Sequence, residues 1–368
     1  MTLALLLLLA AAPSAEPFID AAHHIEQAIQ SGNAQALSSR FNTRALAERA
    51  IKDLEAPRGF RDGFLESAGK IDLAAQFAGI ASNGGRIKLL RLAGDPGSPR
   101  ALFRVIDADG GLNYYEMYLA RVGDRVVVTD IYTFSNGERI TETVRRSYST
   151  FAAQADTGFF GKLLGKERDF VVNAEKVQAL TKSMKEGRFE DVLKAYDALP
   201  DSLKKERTFL LFRMQAAANL TPELHELAVA EFERAYPGDP ALTLATIDLY
   251  FGRKEFDRAL ATIDRLDARV KDPYLEVLRA GSYVEQGKYD VAKKRCRQAM
   301  AEEPELMDLY WSLVTVSLAA KDHAETARVL EQIEERFNWD VGDLTGEPEY
   351  AEFVKSGAYK AWMKRRAN

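Results

Sequence analysis

Cysteine is almost absent from this chain. Cys296 stands alone among 368 residues, so no internal disulfide can form and no cysteine-based zinc site can be built. Histidine is nearly as scarce, with four copies. His23 and His24 are neighbours, which on a helix point about 100° apart and cannot share one metal. His225 and His323 fall at loop-to-helix junctions of separate segments. The chain has no HExxH, no GxSxG, no kinase signature and no glycine-rich phosphate loop. Gly84-Gly85 follows a helical pattern and precedes a strand pattern, the wrong order for a dinucleotide site. Positive charge is not in excess: 50 Lys and Arg stand against 55 Asp and Glu, a net charge of -5. That balance argues against nucleic acid as the main partner. The run LALLLLLAAA at residues 3–12 is too short to span a bilayer. These absences lead us to expect no catalytic constellation, no metal, no cofactor and no stable membrane span.

What is present is ordinary soluble-protein composition, 46% hydrophobic and 29% charged residues, in a length that suits two or more domains. The short apolar run is followed by small residues and then Glu16-Pro17. Residues 1–15 therefore read as a secretory signal peptide cut after Ala15, which would place the mature chain in a periplasm or outside the cell. Two features depart from the pattern, no Lys or Arg before the run and Pro13 where alanine is usual, and they leave a mispredicted start or a short anchor as the alternative. No cysteine directly follows the run, so a lipoprotein anchor is not expected.

The strongest pattern lies in residues 273–304, PYLEVLRAGSYVEQGKYDVAKKRCRQAMAEEP. It reads as two short amphipathic helices. Gly287 breaks them apart, with Tyr283 closing the first and Pro304 ending the second. Tyr289, Ala292, Cys296 and Ala299 recur at helical spacing, small residues allowing close approach. Equivalent sets are Tyr250, Phe256, Ala259, Ile263 and Leu266; Ala216, Ala228, Phe232, Ala235 and Pro240; Gly187, Phe189, Val192, Tyr196 and Leu199; and Tyr310, Leu313, Thr326, Leu330 and Ile333. Five copies fall between residues 173 and 338. Cys296 takes a packing place, where a buried, inert thiol is expected.

This spacing resembles the tetratricopeptide repeat, whose period is about 34 residues. The family's tryptophan at the fourth place is absent, Tyr310 being nearest, so the copies are degenerate. The resemblance implies a helical solenoid in which each pair buries its apolar face on the next. The end of such an array needs covering, and Tyr350, Phe353, Tyr359 and Trp362 in residues 339–368 suit that role. In the family, partner peptides lie on the concave face, against the first helix of each pair. Carried across, those places hold Arg213, Asp248, Phe251, Tyr274, Val277, Trp311, Thr315 and Leu318. The lysine and asparagine clamp of chaperone-binding members is missing; Val277, Gly281 and Val284 hold its places in one copy. Capture of a free C-terminal carboxylate is thus not expected. The aromatic and aliphatic lining suits an apolar or helical segment of a protein or peptide partner, or is covered by this chain's own N-terminal domain.

Residues 16–155 form a different unit. Helical patterns come first, in FIDAAHHIEQAIQ, ALSSRFNTRALAERAIKDL and FRDGFLESAGKIDLAAQFAGI. Four strand patterns follow, RIKLLRLAG, RALFRVIDA, LNYYEMYLAR and RVVVTDIYTF, joined at Asp95-Pro96-Gly97, Asp109-Gly110-Gly111 and Gly123-Asp124. We expect helices followed by a four-stranded antiparallel meander, an α+β domain. That order loosely resembles the nuclear-transport-factor-2-like fold, whose members include enzymes, ligand binders and dimerisation modules. Alternation puts Asp130 on one face with Val126, Val128, Tyr132 and Phe134. It is either a base with a raised pKa or a carboxylate paired with Arg104 or Arg121 or facing water. ERITETVRRSYSTFAAQA reads as a helix, and residues 156–172 as a linker. Its Phe159, Phe160, Leu163 and Leu164 either pack two domains together or touch a membrane.

The fold expected is therefore an α+β N-terminal domain followed by an all-α tetratricopeptide-like solenoid. The function expected is that of an exported, non-enzymatic protein-interaction scaffold, with homo-oligomerisation open. The alternative is a small-ligand-binding or hydrolytic α+β domain carried on the repeat scaffold.

Overall fold

The computed structural model describes residues 16–55, 58–155, 158, 161, 163 and 165–366. The expected signal peptide lies outside the described residues, as do Phe159, Phe160 and Leu164. The chain divides into two compact units, Met1–Leu242 and Thr243–Asn368.

The first unit opens with helices α1 (Glu16–Gln30), α2 (Ala34–Ser38), α3 (Thr43–Ala50), α4 (Arg58–Gly69) and α5 (Leu73–Ser82). Phe18, Ala21, Ala22, Ile25, Ala28 and Ile29 recur at helical spacing along α1 and are all buried. Asn33, Asn42 and Asp72 set the starts of α2, α3 and α5, each side chain accepting a backbone N–H of the first turn.

Strands β1 (Arg86–Ala93), β2 (Arg100–Ile106), β3 (Leu112–Val122) and β4 (Arg125–Thr133) then form the antiparallel meander. The sheet has a fifth member, β5 (Glu138–Arg139), paired to Tyr132 and Thr133. A two-residue strand carries no alternation, which is why the sequence pattern shows four. α1 lies over β1, and its buried Glu26 accepts the Leu89 N–H at 2.8 Å while Gln30 donates to the Ile87 carbonyl at 3.0 Å. These two side chains occupy backbone groups that the outer edge of β1 would otherwise offer to another strand.

A bulge in β4 changes the expected facing of Asp130. Tyr118 pairs with Asp130 and Leu119 with Val128, leaving Thr129 as the extra residue. Val126, Val128 and Ile131 consequently face the core under the helices. Asp130 and Tyr132 fall on the other face, opposite Tyr118 and Glu116.

Helix α6 (Ile140–Ala155) leaves the sheet, and α7 (Gly165–Val172) packs against it. The segment read as a linker thus ends in a helix. Leu163 is buried in a cluster with Tyr148, Ala152 and Leu65 inside this unit.

Five helix pairs follow: α8 (Ala174–Lys185) with α9 (Phe189–Asp197); α11 (Arg207–Ala218) with α12 (Pro222–Ala235); α13 (Pro240–Gly252) with α14 (Phe256–Val270); α15 (Leu275–Glu285) with α16 (Tyr289–Glu302); and α17 (Met307–Ala319) with α18 (His323–Phe337). A single turn, α10 (Asp201–Lys204), separates the first two pairs. The second helices begin at Phe189, Pro222, Phe256, Tyr289 and His323, so the period is 33 or 34 residues. The fourth residue of each is buried: Val192, His225, Ala259, Ala292 and Thr326. In the second copy that place belongs to His225, whereas the sequence pattern pointed to Ala228. Cys296 is wholly buried, and burial pushes its thiol up to about 12, so it stays protonated at neutral pH.

After the last pair come a 3-10 turn (Pro348–Tyr350) and helices α19 (Ala351–Lys355) and α20 (Gly357–Arg366). Phe353 and Trp362 sit in the same apolar cluster as Val329, Leu330 and Ile333 of α18. Arg365 pairs with Glu331, and Arg366 with Glu334 and Asp340.

Candidate protein-binding groove

Helices α13, α15 and α17 are the first members of three successive pairs, and within the second unit their side chains line one groove of about 470 Å³. Phe251 comes from α13. Val277, Ala280, Gly281 and Val284 come from α15, and Trp311, Thr315 and Val316 from α17. The spacing explains the convergence. Residues 277, 281 and 284 lie four and three apart on one face of α15, and 311 and 315 lie four apart on α17. Gly281 leaves the space that Phe251 occupies: a Cβ there would stand 3.4 Å from the Phe251 ring. Trp311 is partly buried and packs at the edge of the cluster that holds Leu313 and Val316.

The charged residues in the lining are Glu285 and Asp308, both acidic. Among the described residues, no lysine, arginine or histidine lines the groove. It is an aromatic and aliphatic trough with carboxylates in its wall, suited to non-covalent binding.

Of the eight residues carried over from the repeat resemblance, Phe251, Val277, Trp311 and Thr315 are brought together here. The other four are not. Arg213 lies in the first unit, ion-paired with Glu231 and set 5.4 Å over the Tyr196 ring. Asp248 is exposed on α13, one turn before Phe251. Tyr274 is buried as the residue preceding α15, its N–H donating to Asp272. Leu318 packs into the apolar cluster around α18 and the C-terminal helices. Glu285 and Asp308 were missed in the sequence because helix-surface carboxylates are common; only their places beside Val284 and one turn before Trp311 single them out.

Asp130 serves the fold. Its carboxylate accepts from Thr141 Oγ1 at 2.6 Å and from the Thr141 N–H at 3.2 Å, fastening the start of α6 to β4. Among the described residues no group of three or more His, Cys, Asp and Glu could hold a metal ion. None of the described helices is long and apolar enough to cross a membrane.

No family model and no curated protein matches the chain. A solved structure of PilW, a widely conserved type IV pilus biogenesis factor, aligns with 54% of this chain and 93% of its own. The identity is 15% and the TM-score 0.38, a likeness that carries no argument about what this chain does.

Proposed function

We propose that this protein is an exported, non-enzymatic interaction scaffold that holds a segment of another protein in the groove between α13, α15 and α17. One observation supports it most. Three repeats bring the partly buried Phe251, Val277 and Trp311 together along a single groove. Apolar side chains gathered on an accessible face mark a binding surface, and an aromatic residue in a pocket is the usual energetic centre of one. The acidic wall adds a preference: the partner segment presents apolar anchors flanked by Lys or Arg, as charge complementarity requires. Export is supported by the apolar run at residues 3–12. The α+β part is of the nuclear-transport-factor-2-like kind on element order alone, and that order assigns it no chemistry.

Site-specific photocrosslinking tests the proposal. A benzoylphenylalanine at Thr315, which lines the groove, should capture one protein partner in the host envelope fraction. The same group at Arg328, exposed on α18, should not. Trp311→Glu should abolish the Thr315 product while leaving the circular dichroism spectrum unchanged. Equal crosslinking from both positions would refute the groove as the binding site.

A further inference from the structure

Helix α15 carries a glycine in its interior that its backbone does not require. Gly281 lies within Leu275–Glu285 and has no positive φ. Other residues adopt that helical geometry more readily, because glycine loses the most freedom when it is ordered. The repeat does not require a glycine there either. Gly281 stands eight residues before Tyr289, where the second helix of its pair begins. The residues eight before Phe189, Phe256 and His323 are Thr181, Asp248 and Thr315. Each of these places carries a side chain.

What the glycine provides is space, and more of it than Phe251 needs. A Cβ at 281 would meet the Phe251 ring at 3.4 and 3.9 Å. Those are ordinary contact distances, so an alanine fits beside the ring and the seating of Phe251 does not explain the glycine. Gly281 lines the groove and is exposed there. Any side chain at this place would stand in the groove and make it shallower. Val277 and Val284 lie four before and three after it on the same face, and Glu285 follows four after, exposed and also in the lining. The bare place in the middle helix is thus flanked by apolar side chains, with a carboxylate one turn away.

We propose that Gly281 is the residue that sets which partner the groove accepts. One large apolar side chain of the partner segment, of the size of phenylalanine, lies on the bare backbone at 281. A Lys or Arg next to it in that segment meets Glu285. This proposal rests on the groove being the binding site.

The test uses the full chain with its tryptophans labelled with nitrogen-15. The three tryptophans give three indole N–H signals in an NMR spectrum, and Trp311→Phe identifies the one from the groove. The probes are the blocked peptides acetyl-Ala-Phe-Lys-amide, acetyl-Ala-Ala-Lys-amide and acetyl-Ala-Phe-Glu-amide. The first should move the Trp311 signal. The second, without the anchor, should bind about ten-fold more weakly. The third should bind about three-fold more weakly, the effect of one charge at an exposed rim. Gly281→Ala should weaken the first peptide about five-fold and raise the Tm, since alanine suits a helix better. Gly281→Thr, which places there the residue of two equivalent sites, should weaken it further without lowering the Tm. A Gly281→Ala protein that binds the first peptide as the wild type does would overturn the role of Gly281 and leave the groove standing; a lowered Tm beside it would mean that the glycine only seats Phe251. Equal binding of the first two peptides would overturn the anchor. A Trp311 signal that no peptide moves would refute the groove itself, and this proposal with it.

Discussion

Glu138 shows how one side chain ties three elements together. It lies in β5 and accepts from Arg146 at 2.7 Å and Thr143 at 2.6 Å, both on α6, and from Thr208 of α11 at 3.0 Å. Burial works to raise its pKa, but Arg146 and the two hydroxyls outweigh burial and hold the carboxyl below its ordinary value. The sign follows from linkage. A carboxyl whose folded pKa is depressed stabilises the fold above its unfolded value of about 4.3, and that contribution is lost as pH falls through the lower folded value. Glu138→Gln should therefore cost about 1.5–3 kcal/mol near neutral pH, the range for hydrogen bonds to a charged group. Urea denaturation should show the gap between wild type and variant closing below about pH 4. A gap that stays constant with pH would mean that shape, and not charge, holds these elements together. Asp322 repeats the logic in the second unit, where Lys293 at 2.6 Å lowers its pKa.

At the scale of elements, the turn within a helix pair is the recurring device. In four pairs the residue at the turn has positive φ: Gly187 at 68°, Lys254 at 59°, Gly287 at 68° and Lys321 at 56°. The next residue donates back to the first helix in each case, Arg188 to Ser183, Glu255 to Tyr250, Lys288 to Tyr283 and Asp322 to Ser317. Two of these turns use the residue that adopts the conformation freely, and two use lysine, which pays for its Cβ there. Lys254→Gly and Lys321→Gly should each stabilise the protein by about 0.5–1 kcal/mol, and Gly287→Ala should do the reverse. Loss of the Lys321–Glu352 pair should not mask the gain, because both side chains are largely exposed. Thermal unfolding of the three variants decides it; no shift in any of them would mean the turns are unstrained. The same turns mark what was legible in the sequence. Helix pairs at a fixed period were, because Gly187, Gly287 and the apolar places after them repeat. Lysines at positive φ were not, because nothing in a lysine announces it. The bulge at Thr129 and the two-residue β5 were hidden for a related reason: each is a single departure from alternation, and alternation is all that a strand shows in sequence. In the groove, Phe251, Val277, Trp311 and Thr315 were legible from repeat position alone, while Glu285 and Asp308 needed the packed helices.

Over the whole molecule, stability is shared out unequally, and the chain carries its own reporters. All three tryptophans, Trp311, Trp339 and Trp362, fall in the second unit. Trp339 is 52% exposed, whereas Trp362 is 1% exposed, ringed by Phe353 and Tyr359, with its Nε1–H donating to Glu334 at 3.2 Å. A repeat array gains stability from each interface between neighbours, and an outer face left uncovered exposes the apolar side of the last helix to water. Trp362 covers that side on α18. Trp362→Ala should cost about 3–5 kcal/mol, the usual range for removing a buried tryptophan. The damage should also be directional. Hydrogen exchange should accelerate most in α18, then in α17 and α16, and least in the β2 and β3 amides of the first unit, because nearest-neighbour coupling weakens with each repeat crossed. Equal acceleration in the sheet would mean that the two units unfold as one cooperative block. Protection lost only in α19 and α20 would mean that the array stands without its cover, and that the aromatic cluster around Trp362 serves some end other than stability.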